Sequence, residues 1–222
     1  MIVAERKPFD EIKEIIKDKK NITIIGCGTC VTINQTGGEK EVAILASELR
    51  IAKKLDGDSV NVKQLTIQRQ CEREFVEEIS QKIEQADVVL SMACGVGVQT
   101  MAGIYPDKLI FPTLNTISMA FPDKPGFFKE MCIGCGNCVL CEYGGICPIT
   151  RCSKSMLNGP CGGSRDGKCE VDPDIECAWQ LIVDKLKKQG RLDILTKIKP
   201  AKDWSSSHHG GPRTLIIEEA EI

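Results

Sequence analysis

The stretch MCIGCGNCVLCEYGGICPITRC, from Met131 to Cys152, holds six of the chain's 13 cysteines: Cys132, Cys135, Cys138, Cys141, Cys147 and Cys152. Downstream come Cys161 in NGPCGG, Cys169 in DGKCEV and Cys177 in IECAWQ. Upstream lie Cys27 and Cys30 in GCGTC, Cys71 in RQCERE and Cys94 in MACGVG. Thiols at this density serve disulfides, zinc or iron–sulfur clusters. The odd total leaves at least one thiol unpaired in any all-disulfide scheme. The N-terminal MIVAERKPFDEIKEII is charged and amphipathic, without the apolar stretch of a secretion signal. Both features point to a reducing, cytoplasmic setting, where clustered cysteines are metal ligands more often than cross-links.

Spacing narrows the chemistry. Cys132, Cys135 and Cys138 form C-x2-C-x2-C with Gly134 and Gly136 interleaved. Bacterial ferredoxins use such a run, closed by x3-C-P, and let the distant cysteine serve a second cluster. Here the fourth cysteine, Cys141, comes one residue early and the Cys-Pro pair is Cys147-Pro148, so ferredoxin ligand assignments do not transfer. Zinc ribbons present two separated pairs, whereas successive three-residue steps suit a cubane better. The nine cysteines from Cys132 to Cys177 suffice for two four-thiolate sites with one spare. For Cys161, Cys169 and Cys177 zinc is the closer competitor.

The elements that must position the upstream thiols alternate in character. Asn21–Gly26, NITIIG, is a β-branched run that reads as a buried parallel strand. Residues 39–55 place Val42, Leu45, Ala46, Leu49 and Ala52 at helical spacing. VNVKQLTIQ is a second strand, and EREFVEEISQKIEQA a helix with Phe75, Val76, Ile79 and Ile83 on one face. DVVLSMAC, GVQTMAGIY and KLIFPTLN follow as strand, short helix and strand. Repeated β-α-β units imply a parallel sheet. The expected fold is α/β: a small doubly wound, Rossmann- or flavodoxin-like domain over residues 1–120. Cys27 and Cys30 follow its first strand, Cys71 its second, and Cys94 ends its third. All therefore fall at the carboxyl edge, where such sheets bind ligands. Four converging thiolates suit a [4Fe-4S] cluster, with helix N-termini to favour the anion; structural zinc and plain buried thiols are the alternatives. A dinucleotide site is rejected, because Val31 stands where the third glycine belongs, no acidic residue ends the second strand, and GVGVQT is equally incomplete. The glycines are expected to let backbone amides approach the cluster.

Proline and glycine in FPDKPGFFKEM (residues 121–131) mark the expected domain boundary. Residues 121–200 read as a Cys-rich, metal-stabilised domain with little regular structure, in which metal replaces missing apolar burial. CAWQLIVDKLKKQ is its terminal helix. Residues 201–222 form a tail, with His208 and His209 in a solvated loop. Near-balanced charge, 29 Lys and Arg against 31 Asp and Glu, gives no reason to expect nucleic acid or membrane as partner. No stretch approaches the ~20 apolar residues that span a bilayer.

The string SMLNGPCGGSRDGKCEVDPDIECAW, with the cysteine run before it, resembles the cysteine-rich C-terminal domain associated with methylenetetrahydrofolate reductases. Over nearly its full length, GCGTC and MACGVG included, the chain is similar to the MetV family. These are the small iron–sulfur subunits of the two-subunit methylenetetrahydrofolate reductases of acetogens and related anaerobes. The resemblance implies a heterodimer in which [4Fe-4S] clusters on this chain deliver electrons to FMN on a MetF-like flavoprotein. It implies that this partner reduces 5,10-methylene- to 5-methyl-tetrahydrofolate in the methyl branch of acetyl-CoA synthesis, the Wood–Ljungdahl pathway. A low-potential donor or further redox subunits would complete the set of partners.

Two to three clusters are expected, with zinc as the alternative at one site and no catalytic residue on this chain. At 5% aromatic residues there is little surface to stack a pterin or a flavin. The rival expectation is a zinc-stabilised module that only tethers the flavoprotein. The apolar TLIIEE after Gly210-Gly211-Pro212 is expected to dock on that partner.

Overall fold

Burial on both faces decides the first sheet. In β2 (Asn21–Cys27) six of seven residues are buried, with Ile22 and Ile24 turned to one side and Ile25 to the other. The computed structural model of the chain describes residues 1–217. There β3 (Asn61–Ile67), β2, β4 (Val88–Met92) and β5 (Ile110–Pro112) form a four-stranded sheet in that order, all parallel. Helices α1 (Phe9–Ile15) and α3 (Glu39–Leu55) cover one face through Ile12, Val42, Leu45 and Leu49. Helices α4 (Arg73–Glu77), α5 (Ser80–Glu84) and α6 (Gly95–Ile104) supply Val76, Ile83 and Met101 to the other. This is a doubly wound α/β sheet. The winding reverses at β2, between β3 and β4, which is where open sheets of this kind form a crevice.

Several elements differ from the sequence expectation. Residues 72–86 are two short helices, because i→i−3 bonds tighten the chain at Ile79 N–H to the Val76 carbonyl and at Lys82 N–H to that of Ile79. On α3 the fifth inward position is Lys53, not Ala52; the Lys53 ammonium reaches the Lys17 carbonyl and, at 3.3 Å, Asp58. Ile2–Arg6 forms a strand, β1, antiparallel to β6 (Leu114–Lys124), with Ile2 opposite Met119 and Arg6 opposite Leu114. Residues 121–131, read from the sequence as a break between domains, form the turn and arms of a β-hairpin. Its second arm is β7 (Phe127–Cys132), and Gly126 takes the positive φ of +78° that the turn requires. The order β1-β6-β7 makes a second, three-stranded sheet.

The chain divides into two compact units, Met1–Lys129 and the residues from Glu130 onward. The second unit has little regular structure: a single turn α7 (Pro148–Arg151), the helix α8 (Ala178–Lys188) and short 3-10 turns at Leu192–Thr196, Trp204–Ser206 and His208–Gly210. It does own a small side-chain core of Tyr143, Trp179, Ile182 and Leu186. Tyr143 and Trp179 meet edge to face at 5.5 Å. Their polar ends donate to the Leu157 and Met156 carbonyls at 2.9 and 2.8 Å, as buried Tyr and Trp must. From Arg151 to Cys177, however, no residue is buried. Among the described residues no helix is long and apolar enough to cross a membrane.

Candidate metal centres

The first unit brings four cysteines to the carboxyl edge of its parallel sheet. Cys27 is the last residue of β2, and Cys30 opens the single turn α2 (Cys30–Ile33). Cys71 lies in the loop after β3, and Cys94 is the N-cap of α6. A fully buried side chain, Gln70, sets the β3–α4 loop. Its amide donates to the Ile25 carbonyl at 2.8 Å, and its oxygen accepts from the Ser91 hydroxyl at 2.6 Å. Cys71 is thereby tied to both β2 and β4. Sequence reasoning missed Gln70, since nothing in RQCERE separates a buried glutamine from an exposed one.

The glycines act differently from expectation. Gly28 spends its N–H on the Ile67 carbonyl at 2.9 Å, so this amide serves the protein's own loops. A Cβ on Gly97 would stand 2.8 Å from Gln70 Cβ, and one on Gly37 would overlap the Met92 carbonyl oxygen. Close approach of loop to loop is what these positions require.

The thiols at this edge sense one another. Partial burial raises the Cys71 pKa above the ordinary thiol value, and the neighbouring Cys27 and Cys94 raise it further. A hydrogen bond to Glu72 raises Arg69, which also feels Cys71 and Cys30. Four thiols on three loops at one sheet edge, with Cys71 near Cys27 and Cys94, are a donor set whose chemistry fits a thiolate-bound cluster.

In the second unit Cys132 ends β7, and its sulfur accepts from the Gly134 N–H at 3.3 Å. Cys135 is buried, while Cys138 and Cys141 are exposed. Gly134 and Gly136 take positive φ values of +65° and +79°. Tail residues grip this loop by its carbonyls. Arg213 donates to Gly134 at 3.3 Å, Ser206 to Cys135 at 3.1 Å, and Lys202 to Asn137 at 3.0 Å. Residues 202–213 therefore pack on their own chain. Leu215, Ile216 and Ile217 stay exposed, and the last part of the expected docking segment, residues 218–222, lies outside the described residues. His209 stacks on Trp204 at 5.5 Å.

Cys147 caps α7 and Cys152 follows its last residue. Cys152, Cys161, Cys169 and Cys177 line one small cavity. Ser153, beside the Cys169 thiol at 3.5 Å, holds its pKa below the ordinary value, with help from the Val171 and Asp172 amides. Among the described residues, no three cysteine, histidine or carboxylate side chains are gathered tightly enough to hold a metal ion. What the structure brings together is therefore the loops and donor sets, with Cys152 joining the three later cysteines.

No curated protein and no solved structure matches this chain. Residues 111–205 match the family model described as Methylene-tetrahydrofolate reductase C terminal. This segment runs from β5 to the 3-10 turn at Trp204 and contains all nine cysteines of the second unit. The chain carries a domain related to the C-terminal part of methylene-tetrahydrofolate reductases.

Proposed function

We propose that this chain is the iron–sulfur subunit of a two-subunit methylenetetrahydrofolate reductase, delivering electrons to FMN on a partner flavoprotein that reduces 5,10-methylene- to 5-methyl-tetrahydrofolate. The observation that carries the reading is the family match over residues 111–205, which takes in the whole run from Cys132 to Cys177. The four thiols at the sheet edge of the first unit support it. Bound clusters would supply one-electron capacity at a potential set by burial and by hydrogen bonds to sulfur. The chain's own part is to hold thiolates in fixed loops: Gln70 fixes the loop of Cys71, and the Gly134 N–H points at the Cys132 sulfur. Leu215–Ile217 is the proposed contact with the flavoprotein. A low-potential donor lies upstream, and folate chemistry belongs to the partner.

The test uses the full chain purified without oxygen, reduced with dithionite, freed of excess reductant and mixed with the FMN-loaded flavoprotein. Bleaching of the flavin absorbance is expected, and none from chain stripped of iron. An iron-loaded chain that binds the flavoprotein but leaves its flavin oxidised would overturn electron delivery. A second reading, a zinc-stabilised tether, is favoured by the unburied stretch from Arg151 to Cys177; chain isolated with zinc, no sulfide and intact partner binding would establish it.

A further inference from the structure

Helix α6 does not cap itself. Its N-cap is Cys94, which makes no capping hydrogen bond with its own side chain. An N-cap residue ordinarily spends its side-chain oxygen on an N–H of the first turn, and a sulfur committed to a metal is not free for that. The first N–H of this helix goes to another part of the chain. Gly95 donates to the Thr116 hydroxyl oxygen at 2.8 Å, 21 residues further on.

A β-bulge gives Thr116 this aim. Along β1 and β6, Ile2 stands opposite Met119 and Val3 opposite Ser118, but Ala4 is opposite Thr116, so Ile117 is the extra residue. Such a bulge re-aims the side chains beside it. It sets Thr116 opposite Ala4 and two residues from Leu114, both of which are buried with Cys27, Val31 and Ala93. Thr116 therefore stands beside the small core that holds one thiol, Cys27, and leads directly into another, Cys94.

The same strand pair also holds the element of Cys30. Asn34, the buried residue that closes α2, donates to the Ala4 carbonyl at 3.0 Å, and the Thr36 hydroxyl donates to its side-chain oxygen at 2.6 Å. Ala4 is the residue paired with Thr116. Contacts thus run from α2 through Ala4 and Thr116 to the first turn of α6. They brace the elements of Cys30 and Cys94 against each other.

We propose, resting on the iron–sulfur reading above, that Thr116 is a positioning residue of this sheet edge. It caps α6 in place of Cys94, which leaves the Cys94 sulfur free to ligate and keeps its backbone in register with that of Cys30. Gln70 fixes Cys71 from within the parallel sheet; Thr116 fixes Cys94 from the second sheet. Because Thr116 is exposed, its hydroxyl matters to the site far more than to the fold.

The test compares wild type, T116V, T116S and C94S as full chains purified without oxygen. Valine keeps the β-branched shape that suits β6, so the urea midpoint of T116V is expected to match wild type. Iron is expected to pass from T116V to a chelator at least about tenfold more readily. The electron paramagnetic resonance signal of the dithionite-reduced chain should change with it, and T116S should restore both. T116V that holds iron and gives the wild-type signal, while C94S loses iron, would overturn the positioning role and leave the proposed function standing. Iron unchanged in C94S would overturn it together with the cluster at this edge. A lowered T116V midpoint that T116S does not rescue would make Thr116 a residue of the fold alone and overturn it as well.

Discussion

The α-carbon of Gly136 lies so close under the Ser206 carbonyl oxygen that a Cβ there would overlap it. Gly136 also holds φ at +79°, where an L side chain is strained whatever the space. The C-x2-C-x2-C loop and the tail are thus fitted to each other. Gly136→Ala is expected to destabilise the second unit by about 1–3 kcal/mol and to lower the iron retained by the full chain. Urea unfolding and iron analysis check this; an unchanged midpoint would show that tail and loop separate freely.

The same strap divides the tail's work in two. A chain ending at Arg213 keeps Lys202, Ser206 and Arg213 on the loop but loses the exposed Leu215–Ile217. It is expected to keep its metal content and to bind the flavoprotein at least about tenfold more weakly, roughly 1.4 kcal/mol. A chain ending at Pro200 is expected to lose both. Titration of the two truncations against the flavoprotein, with metal analysis of each, separates the roles; equal behaviour would refute the division.

Gln70→Leu removes the buried amide that joins the Ile25 carbonyl to the Ser91 hydroxyl. Leaving those two groups without partners costs about 1–3 kcal/mol each. The first unit should lose stability, and iron bound at Cys27, Cys30, Cys71 and Cys94 should fall with it. Chemical denaturation and iron per chain are the readouts. Wild-type iron in a clearly destabilised variant would mean that the thiols find their places without this brace.

At the opposite edge of the sheet, Asp87 accepts the Asn21 and Lys20 N–H groups at 2.8 and 3.0 Å. These backbone bonds, that of Asn21 first, hold its pKa below the ordinary carboxylate value. A depressed folded-state pKa means stability that is fully present above the unfolded value, about 3.9, and lost as pH falls through the folded one. Denaturation midpoints of wild type and Asp87→Asn are expected to converge as the pH drops below about 4. A gap between them that stays constant with pH would exclude the linkage.

The parallel sheet was legible because local pattern and final burial agree there: Ile22, Ile24, Leu45 and Leu49 occupy the inward positions that their spacing predicts. Strand β1 was not, since Ile2–Arg6 acquires a partner only at Leu114–Met119, and five residues carry no signal of a pairing so distant. The hairpin at Pro125-Gly126 was hidden for a related reason. Turn residues look alike whether they end a domain or join two strands. At the candidate centres, the placement of Cys27, Cys30, Cys71 and Cys94 at the sheet edge could be read from spacing. The membership of Cys152 with Cys161, Cys169 and Cys177 could not, because it depends on the path of loops that no periodicity governs.

The pairing of β1 with β6 also sets an order of events during synthesis. Ile2–Arg6 leaves the ribosome before the parallel sheet, yet its strand partner emerges only after β2, β3, β4 and β5 have all been made. The parallel sheet can assemble while β1 still waits, its edge open to stray pairing. Two contacts are ready earlier: the Arg6–Glu48 ion pair to α3, and the Asn34 side chain, which donates to the Ala4 carbonyl at 3.0 Å. They moor β1 to the growing domain, so that a segment translated before the parallel sheet is locked in place after it.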